Sequence, residues 1–149
     1  MDDYERYEIE CKKIRASNKK LLDVFASWLQ DANLTARTIK KHIDNVDFFI
    51  NEYLLYEDAT APEDGTYDIG MFLGYWFIKK AMWASESSIR SNAASLKKFY
   101  IFLQERGVVN KEDLEFIKET IKEEMPEWIA TLSRYDDPSI TDMGEVWGF

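Results

Sequence analysis

The sequence predicts an all-α protein. Three prolines and six glycines in 149 residues leave few helix breakers. No stretch alternates apolar and polar residues for long enough to make a strand. Apolar residues instead recur at helical spacing, behind residues suited to capping helices. The length suits one domain, 1–149, and 46% hydrophobic residues with 22 aromatics suit a packed core rather than a disordered chain.

Residues 4–15 read as a polar helix with Tyr4, Tyr7, Cys11 and Ile14 at helical spacing. A clearer helix begins near Asn18, its stripe formed by Leu21, Leu22, Phe25, Trp28 and Leu29, and ends at Ala32-Asn33, where asparagine tolerates a left-handed turn. Thr35 caps the next helix, which runs to about Tyr56 with Ile39, Ile43, Val46, Ile50, Tyr53 and Leu54 on one face. Residues 57–67 are a loop by composition. Thr66 or Asp68 caps a third helix carrying Ile69, Phe72, Leu73, Trp76 and Phe77. It is apolar nearly all round and so belongs at the centre. Ser85 opens a fourth helix, striped by Ile89, Ala93, Leu96, Tyr100 and Leu103 and stopped by Gly107. Asn110 caps a fifth, which buries Leu114, Ile117 and Ile121, and Pro126 starts a sixth. Residues 110–134 are therefore appended helices, and 135–149 form an acidic, aromatic, loop-like tail.

Composition narrows the function. The longest uncharged apolar run, Ile69–Ile78, is too short for a membrane span, which takes about 20 residues. The acidic N-terminus reads as neither a signal nor a transit peptide, so the expected location is cytoplasmic. A single cysteine, Cys11, forms no internal disulfide, and with a single histidine, His42, no metal site or cofactor is expected. Cys11 is read as an inert thiol, although Lys12, Lys13 and Arg15 stand close in sequence. The acidic run Glu57, Asp58, Glu63, Asp64, Asp68 lacks the order of a calcium loop and is read as solvated. The net charge of −9 is uneven: residues 57–68 carry −5, 69–109 carry +4 and 110–149 carry −7.

Two blocks give the chain a resemblance. The first is Phe25-x-x-Trp28-Leu29, then Leu34-Thr35-x-x-Thr38-Ile39-x-x-His42, then Val46-x-x-Phe49. The second is Ser85-x-x-Ser88-Ile89, then Leu96-x-x-Phe99-Tyr100-x-Phe102-Leu103, closing on Gly107. Together, in this order, they resemble the N-terminal core-binding domain of tyrosine recombinases, the phage-integrase type. His42 stands where that family usually has tyrosine. The resemblance implies an orthogonal four-helix, SAM-like bundle over about 18–109 that grips duplex DNA. It does not extend to catalysis. The family's catalytic domain uses arginines, a lysine, histidines and a nucleophilic tyrosine, whereas the residues after Gly107 are acidic and lack histidine. Without positive groups to stabilise the phosphoryl-transfer transition state, Tyr135 is not a catalyst. The expectation is a non-enzymatic DNA-binding module, accessory to recombination or a remnant of it.

In the family, the helices matching 36–56 and 86–106 approach DNA. On them Arg37, Lys40, Lys41, Arg90, Lys97 and Lys98 would neutralise phosphates, while Thr35, Thr38 and Ser88 would donate hydroxyl hydrogen bonds. The alternative is a helical protein-interaction module that has lost DNA binding. The two readings differ in charge geometry: one continuous cationic face for DNA, scattered or acid-paired cations for the other. Phe48 and Phe102 fall off their helices' apolar stripes. Either residues 110–134 fold back over them, the favoured reading, or they form a surface for a protein partner or self-association. Trp147 and Phe149 dock on the chain itself or on a partner. The −7 segment is expected to compete with DNA for Arg90 and Lys97.

Overall fold

A computed structural model describes residues 1–148, and every regular element among them is helical. The two N-terminal helices of the sequence reading are one, α1 (Asp3–Asp31). Nothing between Arg15 and Asn18 breaks a helix. Asn18 caps nothing: its buried amide donates to Asn51 Oδ1 at 2.8 Å. Asn33, at φ 64°, ends the turn after α1 as expected.

Helix α2 (Ala36–Asp47) starts at Thr35, whose hydroxyl accepts from the Thr38 N–H at 3.2 Å. Beyond it the chain stays helical only to Tyr53, short of the expected Tyr56, and in a widened π form over Phe48–Tyr53. The Leu54 N–H reaches back five residues to the Phe49 carbonyl at 2.9 Å. The central helix is also interrupted: α3 (Ile69–Met71) and α4 (Phe77–Lys80) flank a second π segment, Phe72–Trp76. Neither expected cap forms. Thr66 is buried, and Asp68 occupies the cap position without a side-chain hydrogen bond. The central placement holds, since Ile69, Phe72, Leu73, Phe77 and Ile78 are all buried.

Helix α5 (Glu86–Glu105) opens with a reciprocal capping box between Ser85 and Ser88, and Gly107 follows it at φ 74°. Helix α6 (Lys111–Asp136) runs straight through Pro126, so the expected sixth helix is a continuation of the fifth. Pro126, Lys122 and Glu123 are exposed, so the carbonyl that loses its N–H partner faces water, while Ile117, Thr120, Trp128 and Leu132 anchor the helix on both sides. The tail is not all loop: Asp142 caps a short α7 (Met143–Trp147).

Close backbone approach explains how α6 lies on the central helix. A Cβ at Gly74 would stand 2.7 Å from Trp128 Cδ1, and one at Gly70 would stand 2.8 Å from Glu124 Oε1. The two off-stripe phenylalanines are both packed within the chain, and their aromatic neighbours lie outside residues 110–134. Phe102 is buried against Phe25 and Trp28 of α1. Phe48 is half-buried among Phe72, Trp76, Phe77 and Trp83. No described helix is long and apolar enough to cross a membrane.

Candidate nucleic-acid interface

The helices α2 and α5 meet along a seam that mixes apolar packing with a polar network. The buried His42 Nδ1 lies 2.7 Å from Ser95 Oγ. The Asn45 amide donates to Ser91 Oγ and Ser95 Oγ, both at 3.0 Å, and the Ser95 hydroxyl donates back to the Ser91 carbonyl at 3.0 Å. That donation leaves the two lone pairs of Ser95 for Asn45 and for a proton on His42 Nδ1. A polar network satisfied in this way fixes the register of one helix on the other. Asn45, Ser91 and Ser95 were missed, because single polar residues on an apolar stripe look like interruptions until their partners are known.

The pairings run in opposite order along the two helices: 42 meets 95, and 45 meets 91 and 95. The start of α2 therefore lies toward the end of α5. Lys41 and Lys98 both bear on His42, whose imidazole is held below the ordinary histidine range by burial first and then by these two cations. Arg37, Thr38 and Lys41 line a shallow groove on α2 together with the Lys40–Asp44 pair and Asn45. Arg37, Lys41 and Lys98 make no ion pair among the described residues. They form a small cationic end of the seam.

The remaining candidate residues are placed differently. Lys40 is paired with Asp44 at 2.7 Å and Arg90 with Glu86 at 3.2 Å, both exposed and within one helix. Lys97 is exposed, about 100° round the helix from Lys98. The Thr35 hydroxyl is engaged with Thr38, and that of Ser88 with Ser85. Ser88 belongs to the opposite end of the seam, where Asp44, Asp47 and Glu52 line a second hollow with Phe48 and Trp83. The nine candidates thus form no continuous face: the seam is basic at one end and acidic at the other.

The C-terminal segment is held by contacts within the chain. Trp147 rests on Tyr75 and Tyr135, with ring centroids 4.7 and 5.6 Å away, and Arg134 Nε donates to the Val146 carbonyl at 3.0 Å. The acids that hold Lys40 and Arg90 come from α2 and α5 themselves. Trp147 therefore docks on its own chain; the same expectation for Phe149 lies outside the described residues. No family model, characterised protein or solved structure matches the chain.

Proposed function

We propose that the chain is a non-catalytic DNA-binding module of the integrase core-binding type, with residues 18–109 as its SAM-like bundle, working in the cytoplasm in or alongside recombination. One observation carries the reading: Arg37, Lys41 and Lys98, free of acidic partners, project from two helices locked by the His42–Ser95–Asn45–Ser91 network. A helix pair of fixed register sets the spacing of these charges, which suits phosphate contact. The module makes a small footprint dominated by phosphates, with Thr38 beside it as a hydroxyl donor.

Fluorescence anisotropy on a labelled duplex tests this. Three phosphate contacts give a log–log salt slope of about −3. The double variant K41E/K98E should abolish binding, and D44N should tighten it by freeing Lys40. Absence of wild-type binding at about 50 mM salt would overturn the reading. The alternative, a protein-interaction module, is favoured by the pairing of Lys40 with Asp44 and of Arg90 with Glu86. It predicts that D44N leaves DNA binding absent.

A further inference from the structure

The two π segments face each other. A π turn is rare and accumulates at functional sites, because it displaces side chains from their α-helical positions. Here the displaced residues are aromatic. Tyr53 and Trp76 meet edge to face at 5.3 Å, and Tyr56 packs on Trp76 at 5.7 Å, also near a right angle. These rings border a cavity of about 200 Å³. Tyr75 lines the same cavity but pairs with Trp147 rather than with the other three rings. Glu57, Asp58 and Asp68 complete the lining with carboxylates.

Asp68 is the unusual member. It is half-buried and sits at the start of α3, yet it makes neither a cap hydrogen bond nor an ion pair among the described residues. Burial raises its carboxyl above the ordinary range. Tyr53 is pushed up to about 12 by burial and then by Asp68 and Glu57. Lys80 lies over the Tyr56 ring and donates to its hydroxyl at 3.3 Å, and Lys79 lies over Tyr75; neither lysine lines the cavity or makes an ion pair with its carboxylates.

We propose that this cavity binds an alkylated ammonium group, held by the faces of Tyr53, Tyr56, Tyr75 and Trp76 and by the carboxylate of Asp68. Aromatic faces attract cations through their quadrupole, most strongly when the cation is already poorly hydrated. Methyl groups on nitrogen lower the cost of dehydration and fill an apolar-walled space, which a bare ammonium does not. Asp68 supplies the negative charge that complements the bound cation. The group comes either from a free quaternary ammonium compound or from a methylated lysine side chain of a protein.

Calorimetric titrations at constant ionic strength test the site, using tetramethylammonium, choline, and two peptides differing only in lysine against trimethyl-lysine. Tetramethylammonium should bind saturably, and the trimethylated peptide should bind at least about tenfold tighter than its unmethylated twin. Tighter binding of choline identifies a small molecule as the source; tighter binding of the peptide identifies a methylated protein. The variants D68N and Y56A should each weaken binding by about fivefold to tenfold. Tyr56 is exposed, so Y56A leaves the core intact. K41E/K98E should bind unchanged, which separates this site from the DNA reading. Three results would each overturn the proposal: no saturable binding of any methylated ligand up to about 10 mM, equal affinity for the two peptides, or wild-type affinity in both D68N and Y56A.

Discussion

His42 ties the seam to pH. Its imidazole is lowered by burial, with Lys98 and Lys41 adding to the effect, so on acidification the unfolded chain takes up the proton first. The stability involved is complete above the ordinary histidine value of about 6.5 and is lost as pH falls from there toward the folded value. H42Q keeps a donor for Ser95 and does not titrate. Its melting temperature should therefore fall less than the wild type's between about pH 8 and pH 5.5; equal falls would show that His42 contributes nothing to that limb. Asn18 is a second buried polar residue, bonded to Asn51. N18A should cost about 1–2 kcal/mol by urea unfolding, since it leaves Asn51 without that donor. At Gly74 the added methyl of G74A meets the Trp128 ring. The cost should be about 1–3 kcal/mol, and an unchanged unfolding midpoint would mean that α6 shifts freely.

At the scale of elements, the interruptions are the informative features. Helix α6 accepts Pro126 because its exposed side carries the lost hydrogen bond. P126A should restore that bond and stabilise the protein by about 1–3 kcal/mol. A loss of stability instead would show that the Pro126 ring contributes packing or chain stiffness that alanine cannot replace. Phe48, which the sequence periodicity placed on the solvent side, keeps its α-helical hydrogen bond to the Asp44 carbonyl. It is covered because Phe72, Trp76, Phe77 and Trp83 pack on that side of α2.

Across the whole molecule, the C-terminal segment closes one side of the fold. Val146 is buried, and Trp147 bridges Tyr75 of the central helix and Tyr135 of α6. W147A should lower stability by about 1–2 kcal/mol and loosen Tyr75, weakening tetramethylammonium binding while leaving the basic end of the seam intact. A chain ending after Arg134 should likewise lose stability. Its DNA affinity should change little, because the acids nearest the seam cations lie on α2 and α5. Much tighter DNA binding by the shortened chain would show that the tail screens those cations after all.

The all-helical class, the caps at Thr35, Ser85 and Asn110 and the glycine stop at Gly107 were legible in the sequence, because each depends on residues within one helical turn. Periodicity gives the direction of a side chain only for an ideal helix. It therefore missed the π turns, the continuity of α1 and α6, and the covers of Phe48 and Phe102. The pairs Lys40–Asp44 and Glu86–Arg90 were legible as i,i+4 neighbours on one helix, whereas the meeting of Lys41 and Lys98 beside His42 depends on how α2 packs on α5. The aromatic cavity was invisible for the same reason. Tyr53, Tyr56, Asp68, Tyr75 and Trp76 come from two helices and the loop between them, and only tertiary packing sets their distances.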